Sequence, residues 1–137
     1  MAGGINLPPW PVLERIGQAC SVTDLEAVRC DWHERYRTQL ARRCGSPLGV
    51  ELRLLIGGLA TNLRAFSTRL RVNYSVLIRE FQRIDRDEQL RWFHIERILQ
   101  AIGLPPEGER WREIRALWAT AASRRGRKLL PSRPSIL

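Results

Sequence analysis

Two short groups of apolar residues at helical spacing, separated by a break, restrict how residues 62–83 can fold. The apolar positions are Leu63, Phe66 and Leu70, then Val72 within the break, then Leu77 and Phe81. Each group keeps to one face of a helix. Asn73 lies just before the second group, where its side chain can accept a hydrogen bond from a free amide of the next turn. The pattern predicts two short helices joined by a tight turn.

The balance of charge indicates an anionic partner. The formal net charge is +9, and Lys128 is the only lysine among the 23 basic residues. Arginine presents a planar fork that suits phosphate and guanine edges. A genome with GC-rich codons favours arginine as well, so the net charge carries this interpretation more firmly than the choice of arginine over lysine.

The rest of the chain shows helical periodicity without sustained strand alternation, so we predict an all-α protein. The predicted parts are an irregular arm at 1–9, an N-terminal helical extension at 10–47, a five-helix unit at 48–122 and a basic flexible tail at 123–137. In the extension, Thr23 or Asp24 is predicted to cap a long helix that ends near Cys44. The unit's other predicted features are helices at 48–59, from 88 or 89 to 102, and at 107–122, and a polar connection at 84–87.

The long helix of the extension carries one continuous apolar stripe, made of Leu25, Val28, Trp32, Tyr36 and Leu40. The stripe has two interpretations. It packs on the five-helix unit as additional core, or it pairs with a second copy of the chain in a homodimer. The sequence does not choose between them.

From residue 48 to about 122, the order of helices resembles the Cro/repressor-type helix-turn-helix family, also called XRE-like. The segment LRAFSTRLRVNYSVLIREF is similar to the family's reading unit. Ser67 stands at its small mid-helix position and Val72 at its buried turn position, while Leu77 and Phe81 are the core anchors of the second helix. The later segments WFHIERILQAIGL and ERWREIRALW look like the following helices of actinobacterial members.

The resemblance implies a Cro/repressor-like fold, and a transcriptional regulator that binds double-stranded DNA in a sequence-specific way as a dimer. The second helix would lie in the major groove. The residues expected to read bases are Tyr74, Ser75, Val76, Ile78 and Arg79. The residues expected to contact phosphates are Asn62, Arg64, Arg69, Asn73, Gln82 and Arg83, together with Arg124, Arg125, Arg127 and Lys128 of the tail.

Four positions depart from the family pattern. Arg71 stands where the family usually has glycine in a left-handed turn, and Leu63 replaces a polar residue. Glu80 is an acid at a usually apolar position, and Ile78 places a branched side chain on the face expected to meet DNA. Leu63, Arg71 and Glu80 favour an alternative, in which the same helical fold has lost base reading. It would then use Ile78, Val76 and the tryptophan-bearing helices to hold a protein partner within a larger nucleoprotein assembly.

A zinc site and an enzyme are both disfavoured by residue spacing. Cys20, Cys30, His33 and Cys44 contain only one short-spaced pair, whereas a closed zinc site needs four converging ligands. His33 and His94 are the only histidines, and neither lies in a nucleophile motif. We therefore expect no catalytic activity, no metal and no cofactor. We also expect no membrane span, and a location in the bacterial cytoplasm with the nucleoid.

Overall fold

The computed structural model describes residues 7–88 and 91–129, with side chains described as far as Ser123. This part of the chain is all-α, with seven helices and no strand. The helices are α1 (Trp10–Ala19), α2 (Leu25–Arg43), α3 (Pro47–Gly57), α4 (Leu63–Leu70), α5 (Tyr74–Asp85), α6 (Trp92–Ile102) and α7 (Glu109–Leu129). Among the described residues, none of these helices is both long and apolar enough to cross a membrane.

The main core lies between α3, α4, α5, α6 and α7. Each helix contributes the apolar residues that recur at its helical spacing, so that one stripe per helix faces the centre. Its buried residues are Leu48, Leu52, Ile56, Phe66, Leu77, Phe81, Ile84, Ile95, Ile98, Leu99, Trp111 and Ile114. Helices α3 to α7 therefore share a single core.

A second, smaller core joins the N-terminal extension to α3. Trp10 of α1 and Trp32 of α2 lie in it with ring centroids 5.9 Å apart, and Tyr36 stacks on Trp32 at 4.8 Å. The Trp32 indole N–H donates to the Pro8 carbonyl at 2.9 Å, so the end of the N-terminal arm is held against this core. The stripe of α2 is thus used mainly inside its own chain, which is the first of its two interpretations. Val28 remains exposed.

Two ion-pair clusters fix α3 against its neighbours. The Glu51 carboxylate accepts hydrogen bonds from Arg37 of α2 and from Arg110 of α7. Arg53 forms a bidentate ion pair with Asp85 at the end of α5, with N–O distances of 2.8 and 2.9 Å. Its guanidinium also lies over the Phe81 ring. Because both charges lie on a largely buried helix, each needs its partners to offset the loss of water.

The turn between α4 and α5 has the geometry that the sequence predicts. Arg71 adopts the left-handed conformation (φ 64°, ψ 40°) expected of the position where the family has glycine. The Val72 N–H donates to the Ser67 carbonyl and the Arg71 N–H to that of Thr68, which is the paired bonding of a Schellman motif. Asn73 caps α5 by accepting from the Ser75 N–H at 3.1 Å.

Several predicted boundaries were wrong. The helix predicted at 48–59 ends at Gly57, and the one predicted from residue 107 begins at Glu109. Ile84 was placed in a polar connection, but α5 continues through it and its side chain is fully buried in the main core. The helix predicted from residue 88 or 89 begins only at Trp92. The tail was predicted to be flexible from Ser123, but α7 continues to Leu129. The predicted tail at 130–137 and the arm at 1–6 lie outside the described residues.

We expect Arg71→Gly to raise the free energy of unfolding by about 1 kcal/mol, because glycine adopts a positive φ without the steric cost of a Cβ. Denaturant titration measures this change. Arg69→Gly is the matched control, since Arg69 lies inside α4 and its replacement should cost about 1 kcal/mol. If both glycines destabilise the protein equally, the left-handed turn is absent in solution.

We expect Glu51→Gln to lower the free energy of unfolding at neutral pH by about 1–3 kcal/mol, because Arg37 and Arg110 lose a charged acceptor. Burial alone would raise the pKa of Glu51, but hydrogen bonds from both arginines outweigh burial and lower it from 4.5. The stabilisation is therefore present above pH 4.5 and lost as the pH falls through the lowered pKa. The difference between the two proteins should shrink in that acid range.

The matched control for this prediction is Glu34→Gln. Glu34 contacts the same Arg37 at 3.4 Å, but its side chain is 75% exposed, so its removal should change stability by less than about 0.5 kcal/mol. Equal losses for Glu34→Gln and Glu51→Gln would contradict the special role of the buried carboxylate.

Candidate nucleic-acid interface

Helix α5 presents two opposite faces. Leu77, Phe81 and Ile84 are buried in the main core. Each of these buried residues is preceded, two positions earlier, by an exposed polar residue. These exposed residues are Ser75, Arg79 and Gln82. Since each residue turns the helix by about 100°, this offset places them about 200° away from the core. The outward face of α5 is therefore polar and open.

Both ends of this outward face are fixed by hydrogen bonds. At the start of α5, the Asn73 side-chain oxygen accepts from the Ser75 N–H and also from the Ser75 hydroxyl, at 2.9 Å. At its end, the Ile84 carbonyl accepts from the buried Ser46 hydroxyl at 3.0 Å, and Asp85 is held by Arg53. A helix held at both ends presents its outward side chains in a defined orientation.

Two asparagines predicted to contact phosphates serve as helix caps. The Asn62 side-chain oxygen accepts from the Ala65 N–H at 2.7 Å at the start of α4, as Asn73 does for α5. In each case the oxygen is used and the amide N–H donors have no partner among the described residues. Those donors are the atoms that a phosphate would accept from, so capping and phosphate contact are compatible.

Exposed arginines surround the outward face. Arg69, Arg79 and Arg83 take part in none of the ion pairs found within the part of the chain that the structure describes. Arg64 of α4 lies over the Tyr74 ring, with its guanidinium carbon 4.2 Å from the ring centroid. The arginines of the two ion-pair clusters are, by contrast, engaged with Glu51 and Asp85. The basic side chains of α4 and α5 are therefore available to an anion.

The structure separates Val76 from the other residues predicted to read bases. Val76 is 49% exposed and lines a groove between α5 and α6, together with Glu80 and His94. This groove has a volume of about 110 Å³, and its apolar wall includes Ile98. Tyr74 and Ile78 are half-buried on the other flank of α5. Ser75 and Arg79 are thus the predicted base-reading residues that lie at the centre of the exposed face.

Sequence reasoning missed Arg86. It follows Arg79 by seven residues, which is two helical turns, and caps the C-terminal end of α5 on the same face. Its side chain is 69% exposed and 3.8 Å from Glu88. The signal was the four-then-three spacing of Ser75, Arg79 and Gln82, which continues to Arg86 once Ile84 is recognised as part of the helix.

Four basic residues near the end of α7 were predicted to contact phosphates, and their side chains lie outside the described part of the structure. These residues, Arg124, Arg125, Arg127 and Lys128, lie on the described backbone of α7. Their predicted phosphate contacts stay predictions.

The structure does not bring the candidate zinc ligands together. Among the described residues, no three His, Cys, Asp or Glu side chains form a group suited to a metal. Cys20 and Cys30 are exposed, while Cys44 accepts a hydrogen bond from Arg53 at 3.2 Å. Burial raises the pKa of the Cys44 thiol, and burial together with Arg37 and Arg110 lowers the pKa of His33.

Comparisons of the chain with protein-family models, with curated proteins and with solved structures found no match. The chemistry and geometry of this interface are therefore the evidence for what the protein does.

Proposed function

We propose that this chain is a sequence-specific double-stranded DNA-binding regulator of the Cro/repressor type, with α4 and α5 as its helix-turn-helix. The observation that carries the proposal is the outward face of α5. It is an exposed, polar face fixed at both ends, which is the form of a helix that enters a major groove. Arg79 lies at its centre, where a guanidinium can contact both acceptors of a guanine.

The surrounding charges support the proposal. Arg69 and Arg83 are exposed and form no ion pair with any described residue, and the Asn62 and Asn73 amides offer further donors. Arginine and amide donors of this kind bind the phosphates of DNA, and such contacts fix the position of a protein on the duplex without reading its sequence. The net charge of +9 would add attraction that weakens as salt rises.

A symmetric DNA site is bound by two copies of a protein, so we also propose a homodimer. Its contact surface differs from the one that the sequence suggested. Trp32 and Leu40 of the predicted dimer stripe are buried against α3 in the same chain. The exposed apolar side chains of the extension are instead Ile16, Val22 and Val28. A homodimer through the N-terminal helices would therefore use these residues rather than the tryptophan stripe.

The second candidate function is a protein-interaction module, and the groove between α5 and α6 favours it. Val76 and Phe93 are among the most exposed large apolar side chains of the described residues, at 49% and 60%. Val76 lines the groove, and the Phe93 ring lies 5.3 Å from that of His94, which also lines it. Exposed apolar side chains at or next to a groove suit a protein contact. A gel-shift with random duplex across a range of salt concentrations separates the candidates, since an adaptor has no selectable DNA sequence.

We expect selection from a random duplex pool to enrich one short sequence, and Arg79→Ala to relax that preference at one position by about 1–3 kcal/mol. Arg83→Ala should instead weaken binding to all sequences and lower the salt slope by about 0.9. The comparison uses two exposed arginines of the same helix. A pool that enriches nothing, or an identical uniform loss for both variants, contradicts these assignments.

We expect Asn73→Asp to keep or slightly raise stability but to weaken binding to every DNA sequence. Aspartate caps a helix about as well as asparagine and adds a negative charge at the positive end of α5, while that charge repels phosphates. Asn73→Ala is the control, because it removes the cap at a cost of about 1 kcal/mol without adding charge. Thermal melting and gel-shift titration measure the two effects. DNA binding unaffected by Asn73→Asp would favour the protein-interaction module.

A further inference from the structure

Arg64 and Tyr74 form the one cation–π contact found between α4 and α5 in the described part of the chain. The guanidinium carbon lies 4.2 Å from the centroid of the Tyr74 ring. The two residues open the two helices, since Arg64 follows the first residue of α4 and Tyr74 is the first residue of α5. A contact between these positions links the two halves of the proposed reading unit.

The backbone on both sides of this contact is held in place. The Arg64 carbonyl accepts from the buried Ser67 hydroxyl at 2.7 Å. Tyr74 follows directly on Asn73, which caps α5, and on the turn closed by the Val72 N–H. The two Cα positions are therefore fixed, and the freedom that remains is that of the two side chains.

We propose that Arg64 is a positioning residue that determines sequence preference through Tyr74, in addition to any phosphate contact of its own. This inference rests on the proposed function. A guanidinium over a ring restricts the rotation of Tyr74 before DNA arrives, so less conformational entropy is lost on binding. The Tyr74 hydroxyl is then presented at one place along the duplex, although Arg64 itself contacts no base.

The planar shape of arginine is essential to this role. A guanidinium that stacks on a ring keeps its N–H donors in its own plane, where they remain free for a phosphate. Lysine carries the same charge on a compact, strongly hydrated ammonium and has no flat surface to stack. Arg64→Lys thus keeps the charge and removes the stacking, which separates the two roles of the residue.

Arg69 supplies the matched control. It lies on the same helix, is exposed and has no acidic partner among the described side chains, and no ring contact involves it. If arginines on α4 act only as charges, Arg64→Lys and Arg69→Lys should have the same effect.

The first measurement is made on the free protein by NMR. Ring currents from Tyr74 should shift the Arg64 δ-protons upfield, and Tyr74→Leu should return them to ordinary values, whereas Tyr74→Phe should preserve the shift. The Arg69 δ-protons should be insensitive to both changes. Arg64 signals that do not respond to Tyr74→Leu overturn the inference, whatever the outcome with DNA.

The second measurement is selection from a random duplex pool. Arg64→Lys should relax preference about two- to fivefold, the factor that corresponds to an exposed cation–π contact, at the same base pairs that Tyr74→Leu relaxes. The double variant should be no more relaxed than Tyr74→Leu alone. Arg69→Lys should leave the selected sequence unchanged. A uniform loss with Arg64→Lys, or an effect at other base pairs, overturns the inference.

The two proposals fail in different ways. If no sequence is enriched by the unchanged protein but the Arg64 signals respond to Tyr74→Leu, the stacking is real and the DNA-reading function is wrong. If a sequence is enriched and Arg64→Lys behaves like Arg69→Lys, the DNA-reading function stands and Arg64 is only a charge.

Discussion

The arrangement of this protein depends on α3, a helix that contacts both cores. Leu48, Leu52 and Ile56 face the main core, while Val50 and Leu54 face the N-terminal one. A helix that is covered on opposite sides has little room for charge, and α3 carries only two charged side chains. Glu51 is held by arginines of α2 and α7, and Arg53 holds Asp85 of α5. Both charged side chains of α3 thus form ion pairs that connect α3 to other helices.

The link through Arg53 determines how α5 is presented. Arg53 holds Asp85 and covers the Phe81 ring, while Ser46 at the start of α3 donates to the Ile84 carbonyl. These contacts fix the C-terminal end of α5, as the Schellman turn fixes its N-terminal end. Rigidity of the outward face is therefore a consequence of packing on the inward face. A substitution that weakens the packing of α3 would therefore make the outward face of α5 less rigid, although no residue of that face is changed.

Sequence reasoning succeeded where local chemistry decides and failed where packing decides. The turn was predictable because Val72, Asn73 and the helical spacing on either side all indicate it. Ile84 was missed because the surrounding Arg83, Asp85 and Arg86 look like a connection, although Ile84 follows Phe81 by one turn. The surface that covers the apolar stripe around Trp32 was not predictable, because packing within the same chain and packing against a second copy require the same spacing of apolar residues.

The four residues at which the sequence departs from the pattern that it resembles take on a different meaning in three dimensions. Arg71 keeps the left-handed turn in place of glycine, and Leu63 packs against the main core. The Glu80 carboxylate lies 3.7 Å from His94 Nδ1, on the α6 side of α5, so this acid is turned away from Ser75 and Arg79. Ile78 is half-buried on the opposite flank. None of the four removes the exposed polar face, so the residues that favoured an adaptor on sequence grounds do not argue against DNA reading. What still favours an adaptor is the groove that Val76 and His94 line, a separate surface that a DNA-reading helix would leave free for a partner.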